Sequence, residues 1–275
     1  MNQRKSSTKV SVITVSYNSV ETLEQTIQSV LNQTYHNLEY IIIDGGSTDG
    51  TVDIINKYHN KITYWVSEKD SGISDAFNKG LLVASGDIVG ILNADDIYDK
   101  ETVEIVAKEF TNDQKVDFVF GDMYLSDKSG NILHKVIGNS NYKNKIYYTM
   151  PAIFHPTVFV RKDVYDKNGY FNREYKTAMD YEFFLRITIN NAQGLYIPHV
   201  LATMRLGGES SQNIIRGRRE VMSASIYYGY NKYLAQGRFC IICLKVYVRK
   251  LLEKLGLHKV VKLYRLYIDR RYKST

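Results

Sequence analysis

Four apolar runs, rich in β-branched residues, each stop at a polar or acidic residue, and helical spacing fills the gaps between them. The runs are Val10 to Val15, Leu38 to Ile43, Ile62 to Val66 and Ile88 to Leu92, and they end at Ser16-Tyr17-Asn18, Asp44, Ser67-Glu68 and Asn93-Ala94-Asp95-Asp96. Apolar residues recur at helical spacing through Val20, Leu23, Ile27, Val30 and Leu31, then from Ser74 to Ala84, and again through Val103, Val106, Ala107 and Phe110. Strands alternating with helices at this interval predict a mostly parallel, Rossmann-like α/β sheet covered on both faces. Parallel strands carry their carboxyl ends to one rim, so Asn18, Asp44, Glu68 and Asp95 are expected on a single polar edge.

The fourth run is the most loaded chemically. A strand apolar enough to be buried on both faces ends in two adjacent carboxylates, which repel unless a positive charge lies between them. A hard divalent cation is one answer; the other is that Asp95, Asp96 and Asp99 form the acidic first turn of the next helix. The loop Asp44-Gly45-Gly46-Ser47-Thr48-Asp49-Gly50-Thr51 is built of small residues that let backbone approach a ligand. It is not the Gly-x-Gly-x-x-Gly dinucleotide pattern.

Composition narrows the class. With 275 residues, 44% hydrophobic and 24% charged, the chain is of ordinary globular type. Cys240 and Cys243 are its only cysteines, too few for a disulfide framework or a zinc site, so a reducing compartment is expected. Met1 to Lys9 is polar and basic, unlike a secretory or transit segment, and no stretch is long and apolar enough to span a bilayer. A cytoplasmic location follows as the expectation, with attachment to the inner membrane face as one option.

The net charge of +7 is uneven: residues 216–275 hold 15 Lys and Arg against 3 acids, while the rest of the chain is net acidic. Leu244, Tyr247, Val248, Leu251, Leu252 and Leu255 form one helical stripe there, and Val260, Leu263, Tyr264, Tyr267 and Ile268 repeat it beyond Gly256. Two readings stand: packing on the α/β part or another subunit in a homo-oligomer, or a basic amphipathic hairpin on an anionic membrane. Nucleic acid is not expected, since no binding motif accompanies the charge. The expected division is residues 8–215 as one α/β domain and 216–275 as a helical appendage. Between them, Asp122 to Val136 reads as a hairpin turning at Ser129-Gly130-Asn131, and Met150 to Val160 as a strand interrupted by Pro151 and Pro156.

Five motifs in order, Val12-Ile13-Thr14-Val15-Ser16-Tyr17-Asn18, Ile41 to Thr51, Asp75-Ala76-Phe77-Asn78-Lys79-Gly80, Ala84-Ser85-Gly86-Asp87 and Leu92-Asn93-Ala94-Asp95-Asp96, resemble the motif set of GT-A glycosyltransferases of family 2. The resemblance implies an inverting transferase that moves a sugar from a nucleotide-diphosphate donor, UDP-sugar favoured, to a hydroxyl of a glycan or lipid-linked acceptor in surface polysaccharide synthesis. Mn²⁺ or Mg²⁺ is the implied cofactor, with Asp95 as its ligand and Asp96 sharing the load or capping the helix. By the same resemblance Val15, Tyr17, Asn18, Asp44, Asp75, Asn93, Ala94 and Asp95 bind the donor, with Tyr17 against the base. Asn93, Gly45 and Phe77 depart from the family pattern, which commonly has Asp, Asp and Arg there, and Lys79 is the candidate to supply the missing charge. On the acceptor side the resemblance implies His155 facing the sugar cavity, Met179 where Glu is frequent, and Asp180 as the base that takes the acceptor proton. Arg205-Leu206-Gly207-Gly208-Glu209-Ser210 resembles a loop closing on the diphosphate, with Arg205 its cation. Two alternatives remain at this stage: a non-catalytic nucleotide-sugar-binding protein and a nucleotidyltransferase.

Overall fold

The computed structural model describes residues 8–207 and 214–257. The strands are β1 (Val10–Ser16), β2 (Leu38–Asp44), β3 (Tyr64–Ser67), β4 (Ile88–Asn93), β5 (Ile97–Tyr98), β6 (Phe118–Ser126), β7 (Ile132–Val136), β8 (Phe159–Arg161) and β9 (Gly194–Arg205). They form one sheet of order β3-β2-β1-β4-β8-β6-β9-β5, with β7 paired to β6. Strands β1 to β4 pair in parallel, β6 pairs in parallel with β9, and the short β8 lies antiparallel between β4 and β6. The expected mostly parallel α/β sheet is what the chain forms.

Alternation along the strands feeds a core on each face. Ile13, Val15, Ile41, Ile43, Val89 and Ile91 face one side, where α3 (Ile73–Val83), α5 (Lys162–Asn168) and α6 (Met179–Ile189) pack. Val10, Val12, Tyr40, Ile42, Ile88 and Leu92 face the other, covered by α1 (Leu23–Leu31), α2 (Thr51–Lys57) and α4 (Thr102–Asn112). Each such Ile, Leu or Phe contributes roughly 1.5–3 kcal/mol by leaving water. Gly90 stands on the second face because a Cβ there would meet the Phe159 ring at 2.4 Å and the Tyr98 hydroxyl at 2.8 Å.

Helix α1 starts at Leu23 without a side-chain cap. Asn18 ahead of it takes a left-handed conformation, φ 48°, and its Oδ1 accepts from the Thr48 N–H at 3.0 Å, tying the end of β1 to the loop after β2. The stretch Met150 to Val160 is mostly loop: a 3₁₀ turn at His155–Thr157 precedes β8, because Pro151 and Pro156 have no N–H for a ladder. The expected hairpin is real, formed by β6 and β7, but β6 also pairs with the long β9, which the proline at 198 conceals in the sequence. A register shift at Gly121/Asp122 absorbs that proline.

Beyond the sheet run two helices, Ile214–Tyr227 and Lys232–Lys254. The first starts before the expected boundary at 215/216 and packs on α6, burying Ala224 and Ser225. On the second, Ile241, Leu244, Tyr247, Val248, Leu251 and Leu255 are exposed, so the predicted stripe is not covered by the catalytic part. Its continuation at Val260 to Ile268 lies outside the described residues. No helix among the described residues is long and apolar enough to cross a membrane.

Candidate active site

The carboxyl ends of β1, β2, β3 and β4 form one rim, and what each contributes differs. Tyr17 is 66% exposed on that rim, an aromatic face free to meet a flat ligand. Val15 and Ala94 are buried, so whatever they offer comes from the backbone, and the Ala94 carbonyl already accepts from Thr26. Asp44, expected beside the base, is fully buried. Its two oxygens accept from the Ser16, Ser47 and Ser67 hydroxyls at 2.6 to 2.8 Å and from the Gly46 and Ser47 N–H groups. Burial pushes its carboxyl up, and these five donors outweigh that and hold it below the ordinary carboxylate range. Asp44 therefore pins the loop after β2. Gly45 next to it is closely packed: a Cβ there would lie 2.6 Å from Asp70 Oδ2 and 3.4 Å from the Tyr17 ring. The acid absent at position 45 is thus replaced in space by Asp70.

At the start of α3, Asp75 is buried and held by Arg173 at 2.7 Å, the Ser71 N–H at 3.1 Å and Lys79 at 3.8 Å. Lys79 pairs first with Glu68, at 2.6 Å. Its charge is therefore balanced within the rim by two acids, which changes the expectation of a free cation for a phosphate. Phe77 faces the core at 0% exposure, so an Arg at this place would be buried here, and the ring instead carries His155.

The end of β4 is the acidic center. Asp95 is partly exposed and Asp96 is 1% exposed behind it. Burial raises the proton affinity of both; for Asp96 the Asp95 charge adds to it, and the Arg205 N–H and guanidinium oppose it. Asn93 donates weakly to Asp96 Oδ2 at 3.4 Å. Two buried acceptors, Asn93 Oδ1 and Asp96 Oδ1, have no donor. Buried oxygens normally have partners, so this pair together with the Asp95 carboxylate is a hard-oxygen donor set that fits Mn²⁺ or Mg²⁺. No group of three His, Cys, Asp or Glu side chains is arranged to hold a metal among the described residues, so a diphosphate would have to complete the coordination.

Arg205 was expected on a mobile loop; it is the last residue of β9, paired with Ser126, and only 8% exposed. Its guanidinium donates to Gln25 Oε1 and faces Asp95 and Asp96, a fixed countercharge. Gly208, Glu209 and Ser210 of the expected loop lie outside the described residues.

On the acceptor side, Met179 is buried in the core on the α6 face. The next residue, Asp180, is the one that stays partly open. Burial raises its carboxyl to about 6, the nearby Glu220 carboxylate adds to this, and the Tyr181 N–H at 2.7 Å opposes it. The segment before α6 lies across the start of α3: Arg173 holds Asp75, Ser74 donates to the Tyr175 carbonyl and Lys176 to the Ser71 carbonyl. Asp180 and the β-strand rim are joined through these contacts. His155 stacks on Phe77, and burial lowers it to about 4, so it is neutral near pH 7. Sequence reading missed Asp70 and Glu220 as site residues; Asp70 lies in the turn between β3 and α3, and Glu220 in the middle of a helix where no pattern marks it.

Comparison with known proteins bears on the whole arrangement. A profile described as Glycosyl transferase family 2 matches residues 11–169, more than half of the chain. An uncharacterized glycosyltransferase of Mycobacterium tuberculosis is 30% identical over 188 residues, 66% of this chain and 69% of that one. The chondroitin synthase of Pasteurella multocida is 28% identical over 181 residues, 65% of this chain but 19% of that much longer protein. Among solved structures, S. aureus TarS 1-349 in complex with UDP-GlcNAc superposes with a TM-score of 0.62 at 22% identity, covering 82% of this chain and 69% of that one. The mannosyltransferase PcManGT of Pyrobaculum calidifontis, with GDP-Man and Mn²⁺, gives 0.68 at 17% identity, covering 96% and 82%. By motif order, sheet topology and these likenesses, the chain belongs to glycosyl transferase family 2 and has the GT-A fold.

Proposed function

We propose that the protein transfers a sugar, with inversion, from a nucleotide-diphosphate donor to a hydroxyl of a glycan or lipid-linked acceptor, UDP-sugar being the favoured donor. The observation that carries this reading is Asp180: a carboxylate at a helix start, raised to about 6 yet ionised at pH 7, on a segment bound to the rim that holds Asp95. Such a group is a competent general base. It accepts the acceptor hydroxyl proton while that oxygen bonds to the anomeric carbon and the bond to the diphosphate breaks. Inversion needs the base opposite the leaving group, so base and diphosphate site must come from different elements, as α6 and β4 are.

Tyr17 offers its exposed face to the base of the donor, and Asp75 offers an acceptor to its ribose. Asp95, with Asp96 Oδ1 and Asn93 Oδ1, would hold Mn²⁺ or Mg²⁺, which supplies charge neutralisation for the departing diphosphate. Arg205 opposes the proton uptake that burial favours at the two carboxylates. The relatives and neighbours named for chondroitin synthesis, UDP-GlcNAc and GDP-Man support the nucleotide-sugar class.

The exposed stripe of Lys232–Lys254, with Lys245, Lys250 and Lys254 beside it, supports peripheral attachment to an anionic membrane, where a lipid-linked acceptor would reside. The test of the reaction is a screen of nucleotide-sugars for nucleoside diphosphate release, with and without Mn²⁺, with the product anomer assigned by NMR. Tight donor binding without turnover would identify a binding protein, and pyrophosphate release a nucleotidyltransferase. Sedimentation with phosphatidylglycerol liposomes of the full chain against a chain ending at Tyr230 tests the attachment; equal behaviour removes it.

A further inference from the structure

Helix Ile214–Tyr227 lies beyond the family match, yet one of its side chains binds the backbone leading into α6. One oxygen of Glu220 accepts three consecutive N–H groups, from Lys176 at 3.1 Å, Thr177 at 2.8 Å and Ala178 at 2.9 Å. The N-cap residue of α6, Ala178, has no side chain to cap with, and Glu220 instead holds the three amides that lead up to the helix. Its other oxygen pairs with Arg216 at 3.1 Å, one turn back, and the side chain is 14% exposed. The approach is close: a Cβ on Gly217 would stand 3.1 Å from Thr177 Cγ2. Below it, Tyr181 and Ser225 hydroxyls meet at 2.8 Å, and the Tyr228 hydroxyl donates to Glu182 at 2.6 Å. The helix thus grips α6 at its entry and along its flank.

We infer that Glu220 is a positioning residue for Asp180, setting where the base carboxylate sits and, through its own negative charge, how tightly that carboxylate holds a proton. This rests on Asp180 being the base. The groups facing Asp180 support it: Glu220 is the charged neighbour that acts on it, Arg216 is bound to Glu220 on the far side, and Glu182 is turned away into its pair with Arg186 at 2.9 Å. A carboxylate that accepts three amides next to a second carboxylate ties geometry to basicity, since moving either group changes both. A purely structural clamp would change stability alone.

The experiment uses the full chain and nucleoside diphosphate release. Glu220→Gln keeps the shape and removes the charge. The acid limb of its kcat profile is expected to move down by about half a pH unit, with the Asp180 carboxyl titration followed by ¹³C NMR moving by the same amount. Glu220→Ala is expected to lower kcat about tenfold or more while the donor KM changes less than about twofold, because the donor elements lie on other strands. Combining Glu220→Ala with Asp180→Asn should cost no more than Asp180→Asn alone. An unmoved acid limb and NMR titration in Glu220→Gln, or a kcat loss in Glu220→Ala matched by its unfolded fraction, overturns the proposal. Full activity in Asp180→Asn would instead overturn the base assignment, a result the NMR titration is independent of.

Discussion

The imidazole of His155 lies flat on the ring of Phe77, centroids 5.1 Å apart and planes 7° from parallel. The stack buries the imidazole, and burial lowers its proton affinity to about 4. The folded chain therefore binds this proton less readily than the unfolded chain, so stability is lost as pH falls from about 6.5 toward 4. Phe77→Ala should raise the His155 midpoint toward 6.5, read from its ring proton shifts, and cost about 3–5 kcal/mol in urea denaturation. Activity above pH 6 should show no limb that His155→Gln removes.

Asp180 has the opposite sign. Its folded value, about 6, lies above the ordinary 3.8, so its contribution to stability falls as pH rises through that window. Asp180→Asn should abolish transfer and raise stability at pH 8 by up to about 3 kcal/mol, a gain that vanishes near pH 4. Paired denaturation curves at the two pH values check both halves.

At the end of β4 the amide of Asn93 stands where a charge would tighten a cation site. Asn93→Asp should lower the Mn²⁺ concentration giving half-maximal diphosphate release, by about tenfold, as a third carboxylate joins Asp95 and Asp96. Asp95→Ala should cut that release by about a thousandfold at saturating donor. Isothermal titration with Mn²⁺ and nucleoside diphosphate gives the binding side of both variants.

Arg205 is the fixed cation of the same center. Arg205→Met removes the countercharge near Asp95 and Asp96, an expected loss of stability at pH 8. The loss should shrink at pH 5, where the carboxylates take up protons in place of the lost countercharge. Thermal melts across pH 5 to 8 measure that slope.

The order of strands and helices, the rim where their polar ends gather and the acid at 95 were legible from periodicity and spacing, because those signals are local; Asp180 was singled out only by the family resemblance. The apolar alternation of β1, β2 and β4 states directly that both faces are buried, and the structure divides Ile13 and Val15 from Val10 and Val12 accordingly. Residue type did not reveal what each polar side chain would spend itself on. Asp44 is consumed by three serines and two amides, Lys79 by Glu68, and Met179 by the core, each through partners that only the packed chain brings near. Arg205 became a rigid countercharge because β9 pairs with β6, a contact between segments some eighty residues apart that no local pattern encodes. The sequence by itself thus determined the order of the elements and the edge on which their polar ends gather. Tertiary structure decided which groups remain free to act, because a side chain's availability depends on distant neighbours, Glu220 at the entry to α6 above all.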